Sequence, residues 1–162
     1  MAPASRSSTT GRTGLLLVLS LFLLPWSMLS YGGVTEGSTT LLFAWGLMDP
    51  ATGHVTGINT YFTYTRGLPD WILAWPVGVG SLVAALASAA VGDARGRDGY
   101  PSSGQQHRAD RVTAALLALV GVAVLSLSWG FSAQLGRTGI PLGTVFAWPV
   151  AGWFWLRARR GR

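Results

Sequence analysis

The feature that most constrains this chain is an uncharged segment, residues 71–91, which reads WILAWPVGVGSLVAALASAAV. Its twenty-one residues include no Asp, Glu, Lys, Arg or His. A helix rises about 1.5 Å per residue, so about 20 apolar residues are needed to cross a hydrocarbon layer of about 30 Å. We therefore predict a transmembrane helix here, and the rest of the chain is interpreted around it.

Three further apolar runs predict three more spans. Charged residues make up only 11% of the chain, against about 25% in an average soluble domain. Together with the first segment, the predicted spans cover residues 14–31, 71–91, 112–134 and 140–156. We therefore predict an all-α membrane protein, in which four transmembrane helices form a bundle of two antiparallel hairpins with a small outer β-like loop.

The segments around these spans are polar or mixed in composition. Residues 1–13 are rich in Ser and Thr, so we expect a disordered tail before the membrane domain of residues 14–156. Residues 92–111 are polar and glycine-rich, which is typical of a flexible loop, here the inner one. Residues 157–162, RARRGR, form a basic tail.

The outer loop, residues 32–70, is unusually apolar. Its part TTLLFAWGLM is too short to span and is expected to form a strand, and the aromatic and β-branched residues 58–65 favour a second one. Two short strands and a re-entrant apolar flap are both compatible with this pattern. In either form we expect the loop to offer aromatic contacts through Trp45, Tyr61, Phe62 and Tyr64.

Four prolines fall within the predicted spans; Pro141 lies at the entrance of the last span, and the other three lie further inside. Proline lacks an amide donor and crowds the preceding turn, and neighbouring helices can accommodate the resulting defect in a membrane. We expect helix kinks at Pro25, Pro76 and Pro149.

The distribution of arginine predicts the orientation in the plasma membrane. The two tails and the 92–111 loop together carry ten arginines, whereas the two outer connections carry one each, Arg66 and Arg137. Short loops rich in Lys or Arg stay in the cytoplasm. We expect a multi-pass protein with both termini in the cytoplasm.

Small residues recur at four-residue intervals in two of the predicted spans. They permit close approach of helix backbones, which drives helix association in lipid. The candidates are Gly80, Ala84 and Ser88 in one span and Gly143, Ala147 and Ala151 in another. Such ridges serve either packing within one chain or association with another copy or a membrane protein partner, and the pattern leaves both open.

The sequence predicts no catalytic, cofactor-binding or metal-binding residue. Cysteine is absent, and the predicted spans contain no ionisable side chain of the kind that marks intramembrane sites. Glu36, Asp49 and His54 share the outer loop, but their spacing matches no metal-ligand pattern. The arginines are divided among separate loops and tails, so no basic face for nucleic acid accumulates.

Several apolar and aromatic runs carry a resemblance. The runs TTLLFAWGL, HVT, YFTYTRGLP, LAWPVG, RVTAALL and PLGTVFAW, followed by PVAGWFW, resemble those of a family of small four-span integral membrane proteins of halophilic archaea. The resemblance covers nearly the whole chain. It implies a membrane location and a four-span fold, and it transfers no catalytic residue because that family has no assigned activity.

The leading functional hypothesis is a non-enzymatic accessory or scaffold subunit that sits in the lipid bilayer and acts by helix and loop association. One alternative is a small transporter or channel that uses the helices broken at Pro76 and Pro149, with polar groups from Ser81, Ser126 and Gln134. A membrane enzyme that uses Glu36, Asp49 and His54 as acid and base groups comes third.

Overall fold

The computed structural model describes residues 7–32, 37–97 and 103–160. These residues form helices α1 (Ser7–Leu23), α2 (Ile58–Tyr64), α3 (Ala74–Arg97), α4 (Ser103–Ser132) and α5 (Leu142–Arg160), and a short 3-10 helix, Asp70–Leu73, leads into α3. The strands are β1 (Ser27–Tyr31), β2 (Ser38–Leu42), β3 (Gly46–Met48), β4 (Val55–Gly57) and β5 (Arg137–Ile140).

The five strands form one antiparallel sheet in the order β4-β3-β2-β1-β5. Strands β1 to β4 follow one another along the chain, whereas β5 comes from the connection between α4 and α5 and pairs with β1. Gly136, whose φ of 71° suits glycine, turns the chain from α4 into β5. The sheet therefore joins both connections at one end of the helices.

The four long helices pack side by side beneath this sheet. Helix α4 contacts both α3 and α5, and α1 lies mainly against α3. Five of the largest fully buried side chains lie near the junction of the helices with the sheet: Trp26, Trp75, Leu29, Leu42 and Ile72. A sixth, Phe154, lies nearer the other end of the helices, where its ring is next to Gly14 of α1. Helix core and sheet core form one continuous cluster.

The predicted all-α fold is wrong, because the described residues contain a five-stranded sheet as well as five helices. The four-helix bundle of membrane spans is also wrong. Among the described residues, only two helical segments are long and apolar enough to cross a membrane, Asp70–Ala94 and Gly104–Ser132. The apolar part of α1, Arg12–Leu23, is shorter, and α5 ends in a turn with three arginines.

The prolines explain part of this difference. Pro25 kinks no helix, because α1 ends at Leu23 and the chain continues as β1. Proline also biases the residue before it toward extended backbone. Pro76 lies in the first turn of α3, where an amide donor is spare, and Pro149 lies inside α5.

The outer segment also differs from its prediction. Residues 58–65 do not form a strand, since Ile58–Tyr64 is helix α2, and the preceding residues Val55–Gly57 form β4 instead. In a strand, Tyr61 and Phe62 would point to opposite faces. In α2 the rings of both lie near that of Trp75, so tertiary packing overrides the local β preference.

Glycines set the close approach between helices and tryptophan rings. A Cβ atom at Gly78 would lie 2.9 Å from the ring of Trp26, and one at Gly121 would overlap the indole of Trp148. The ring of Trp71 similarly occupies the space next to Gly130. Each pair places a large flat ring directly on a helix backbone, which brings dispersion contacts that a side chain at the glycine would prevent.

Candidate functional site

The outer segment is attached to the helices through Trp75. This side chain has no exposed surface, and its indole N–H donates a hydrogen bond of 2.9 Å to the carbonyl of Phe43 in the turn between β2 and β3. Its ring lies 5.6 Å from that of Tyr61 and 6.1 Å from that of Phe62, measured between centroids. The beginning of α3, the β2–β3 turn and α2 are therefore held as one unit.

A second aromatic cluster fixes the other side of the sheet. The ring of Phe131 makes edge contacts with Tyr31 at 5.6 Å and with Trp71 at 5.3 Å. The guanidinium carbon of Arg137 lies 5.3 Å from the centroid of the Tyr31 ring, a cation–π distance. Burial and, less strongly, nearby Tyr61 raise the pKa of Tyr31, whereas Arg137 opposes this shift.

The face of the sheet that points away from the helices carries a row of apolar side chains. Strand pairing places Met28 opposite both Ile140 and Leu41, Leu41 opposite Met48, and Met48 opposite Val55. Directly paired residues share one face of an antiparallel sheet. We call these five residues, one from each strand, the apolar row. Val55 is 50% exposed and Ile140 46%, and the other three are half-buried.

The rest of that face and the reverse face have different chemistry. Two residues further along β1, the same register places Ser30 between Thr39 and Thr138, and we call these three the hydroxyl row. The opposite face of β1 is buried, with Leu29 at 1% exposure and Ser27 in a hydrogen bond of 2.7 Å with Ser128 of α4. Only the face with the two rows remains accessible to another surface.

Neither edge of the sheet offers a long free strand. At β5, the hydroxyl of Ser132 accepts a hydrogen bond of 2.9 Å from the amide of Gly139, so the end of α4 covers this edge. At the other edge, β4 has only three residues. Short or covered edges are the usual protection against strand addition. The surface that this sheet offers for contact is therefore its exposed face and not an edge strand.

A charged contact holds the opposite end of the helices. Arg157 of α5 lies with its Nε 3.2 Å from a carboxylate oxygen of Asp110 in α4, and its guanidinium also stands over the ring of Trp153. His107, one turn before Asp110, has a buried Nδ1 with no hydrogen-bond partner among the described residues. Asp110 is 7% exposed, whereas the Arg157 side chain is 22% exposed, so the pair ties the two helices together at a partly shielded position.

The predicted small-residue ridges occupy different environments. In α5, Gly143, Ala147 and Ala151 are all buried. In α3, Gly80 and Ala84 are exposed, and a Cβ atom at Gly80 would meet no heavy atom within 4 Å. The remaining member of that ridge, Ser88, donates a hydrogen bond of 3.2 Å to the carbonyl of Ala109 in α4.

A neighbouring ridge of α3 makes the internal contact. Ser81, Leu82 and Ala85 are buried, and so is Gly78 beneath Trp26. The four-residue spacing of small residues predicts a helix-packing face, but two adjacent faces of α3 have this same spacing. The outward-facing pair Gly80 and Ala84 is thus available for contact outside the chain.

The predicted outer contacts divide in a similar way. Tyr61 and Phe62 are half-buried against Trp75. Trp45 is 41% exposed and stacks on Phe43 with ring centroids 4.8 Å apart, at the tip of the β2–β3 turn. Tyr64 is 81% exposed.

The residues considered for acid and base chemistry have structural roles where they are described. Asp49 closes the β3–β4 turn by accepting a hydrogen bond of 2.8 Å from the amide of Ala51, and this bond is the main reason why the pKa of Asp49 is lowered. His54 pairs through its carbonyl with the amide of Asp49. Glu36 lies outside the described residues. Within the described ranges, no three His, Asp or Glu side chains are grouped as a metal site would require.

The polar groups considered for transport bond locally. Ser81 donates to the carbonyl of Val77, one turn earlier in its own helix. Gln134 accepts from the guanidinium of Arg137, three residues later. Ser126 is exposed on α4. These bonds are local, and the apolar row on the sheet, which the sequence interpretation missed, is the more distinctive surface.

No curated protein matches this sequence. A family description does match, and it assigns no activity, which agrees with the unassigned function implied by the resemblance. It makes no statement about halophilic archaea or about the number of spans. Since the match covers residues 1–162, the whole chain, the protein belongs to the family described as a domain of unknown function, DUF8050.

Proposed function

We propose that this protein is a non-enzymatic integral membrane protein, anchored by the α3–α4 hairpin, which acts as an accessory or scaffold subunit by association within the membrane. The observation that carries the proposal is the apolar outer surface of the two candidate spans, Asp70–Ala94 and Gly104–Ser132. Val83 is 51% exposed, Val122 53% and Trp129 81%.

Burial supports a lipid surrounding for these helices. Only 33% of the apolar window in the first segment and 50% in the second is buried within the chain. The core helix of a soluble protein is mostly buried, and large exposed apolar patches are rare on soluble monomers. In lipid the same surface costs nothing, and helices satisfy their own backbone hydrogen bonds.

The flanking helices present the same kind of surface. Leu16 and Leu23 of α1 and Val145 and Leu156 of α5 are all more than half exposed, at 53–75%. The apolar part of α1, Arg12–Leu23, reaches about 18 Å at 1.5 Å per residue, which covers only part of the hydrocarbon depth. We therefore place both helices alongside the hairpin, with their apolar sides toward lipid.

Charge supports an orientation with the sheet outside the cell. The last turn of α5 carries Arg157, Arg159 and Arg160 at the end of the helices away from the sheet. The end of α3, with Arg95 and Arg97, and the beginning of α4, with Arg108 and Arg111, add further arginines at this end. Because basic flanks are retained inside, we place the arginine-rich end of the α3–α4 hairpin in the cytoplasm.

The outward pair Gly80 and Ala84 is the proposed association surface. Small residues allow a partner helix to approach closely, and close packing drives helix association in lipid. Tyr64 on α2, at 81%, is the most exposed of the outer-segment candidates. A leucine at position 84 would hold a partner helix away without changing the internal ridge.

The test is purification of the tagged protein from its native membrane in mild detergent, followed by identification of what accompanies it. Wild type should retain a stable partner, or a second copy, which Ala84→Leu loses. Ala90→Leu is the matched control, because it changes an exposed alanine on another face of α3. A protein that stays monomeric and without a partner, or that alone supports solute flux in liposomes, would contradict the proposal.

A further inference from the structure

We infer that the apolar row lies on the outer surface of the bilayer, so that the sheet is a second membrane contact that binds the headgroup–acyl boundary of phospholipids. This inference rests on the proposed membrane function and adds a specific lipid-facing site to it. The row comprises Ile140, Met28, Leu41, Met48 and Val55, and each strand of the sheet contributes one member. Neighbouring strands lie about 4.8 Å apart, so the row extends about 19 Å.

The row is level with the ends of the helices. Met28 follows Leu23, the last residue of α1, by five positions, and Ile140 precedes Leu142, the first residue of α5, by two. Both helix termini bear exposed apolar side chains, with Leu23 at 75% and Val145 at 67%. The row therefore continues the apolar outer surface of the helices onto the sheet.

The tip of the β2–β3 turn supplies an independent marker of depth. The amide of Trp26, between α1 and β1, donates to the carbonyl of Leu42, and the indole of Trp75, at the beginning of α3, donates to that of Phe43. The turn therefore points toward the helices, and its exposed residue is Trp45. Tryptophan is enriched at the membrane–water interface, which places this turn in the headgroup layer.

The exposed face of the sheet changes from apolar to polar with distance from the helices, as expected at a membrane–water interface. The hydroxyl row of Ser30, Thr39 and Thr138 lies two residues from the apolar row, which is about 7 Å along a strand and away from the helices. A surface that lies in the interface buries its apolar part by about 5–10 Å. The sheet therefore passes from lipid to water between the two rows.

A lipid surface fits this patch better than a second copy of the chain. A stable protein interface buries about 800 Å² on each partner, and three of the five side chains in the row are already half-buried. The adjacent hydroxyl row prevents the apolar area from extending outward. The row is only one residue wide along the strand direction, and this narrow apolar band instead matches the thickness of the headgroup–acyl boundary.

The absence of cysteine allows a direct test in the full-length chain. Single cysteines at Val55 or Ile140 probe the apolar row. The controls are cysteines at Thr138, in the same strand as Ile140, and at Thr39, on the same face of the sheet. A cysteine at Val122 probes the exposed side of α4. Each variant is labelled with a polarity-sensitive fluorophore and reconstituted into phosphatidylcholine–phosphatidylglycerol vesicles. Nitroxide-bearing lipids then quench the label either near the headgroup or deep in the bilayer.

We expect the headgroup-level nitroxide to quench both apolar-row labels several-fold more than both hydroxyl-row labels, and the deep nitroxide to quench the label at Val122. Quenching at Val122 with none at Val55 and Ile140 would overturn this inference and leave the membrane function intact. Absence of quenching at Val122 would refute both. Row labels that are shielded from water but not quenched by lipid, and that crosslink between copies, would assign the row to a protein partner and overturn the inference.

Discussion

Replacing Trp75 tests whether the sheet is fixed to the helices by one buried side chain. Trp75→Phe keeps an aromatic ring but removes the indole N–H, so the carbonyl of Phe43 loses its 2.9 Å partner. Leaving a buried acceptor unpaired costs about 1–3 kcal/mol. Trp75→Ala also removes the ring contacts with Tyr61 and Phe62, and large-to-small changes of this kind cost about 3–5 kcal/mol.

The assay is equilibrium unfolding by denaturant in detergent micelles, followed by far-ultraviolet circular dichroism. Trp129→Phe is the matched control, since Trp129 is 81% exposed and exposed substitutions usually change stability by less than about 0.5 kcal/mol. Chymotrypsin gives a second readout, because a loosened outer segment should be cleaved faster after Tyr61 and Phe62. The reasoning is refuted if Trp75→Phe costs no more than Trp129→Phe, or if Trp75→Ala leaves cleavage unchanged.

Three further changes test other parts of the structure. Gly121→Ala should destabilise the fold by about 1–3 kcal/mol through overpacking, because the ring of Trp148 covers this glycine. Gly80→Ala is the matched control in the same unfolding assay and should be neutral or stabilising, because its new methyl group meets no heavy atom within 4 Å. Ser128→Ala should cost about 1–3 kcal/mol by leaving the buried Ser27 hydroxyl without its partner, and the double change to alanine should recover part of that loss. Because the pKa of Tyr31 is raised in the folded protein, the unfolded chain loses this proton at lower pH than the folded one. The stability that Tyr31 contributes is therefore complete below the ordinary pKa of 10.0 and is lost as pH rises through the folded-state pKa. Tyr31→Phe should reduce this alkaline loss of stability, measured by unfolding across that pH range.

The two candidate spans were accessible to sequence reasoning because they are continuous. Residues 71–91 carry no charge, and the apolar pattern of α4 continues for most of its 30 residues. Helix length and apolar character are local properties. The same reasoning failed where an apolar run changes structure midway, as at Pro25, where helix α1 gives way to β1.

The sheet was largely hidden because its strands come from places that read as other structures. β1 lies in a segment that resembles a span, and β5 lies in what reads as a tight link between helices. Their pairing joins residues more than a hundred positions apart, such as Leu29 and Gly139. No local pattern in either strand specifies the other, so the apolar row becomes visible only after the register is known.

The association ridge illustrates a smaller ambiguity. Gly80 and Ala84 have the same spacing as Ser81 and Ala85, and spacing alone does not distinguish the face that meets α4 from the face that points outward. The distinction depends on where Trp26 packs, which is over Gly78. A contact between distant parts of the chain thus decides which small residues remain available for another molecule.

The most direct test of the central claim is the sidedness of the α3–α4 hairpin in intact cells. Single cysteines at Ser38, at the beginning of β2, and at Ser103, at the beginning of α4, occupy opposite ends of the proposed membrane segment. An impermeant thiol reagent should label the cysteine at position 38 in intact cells and the one at position 103 only after permeabilisation. Labelling of both positions in intact cells, or recovery of the unlabelled protein in the soluble fraction after lysis, would contradict the account.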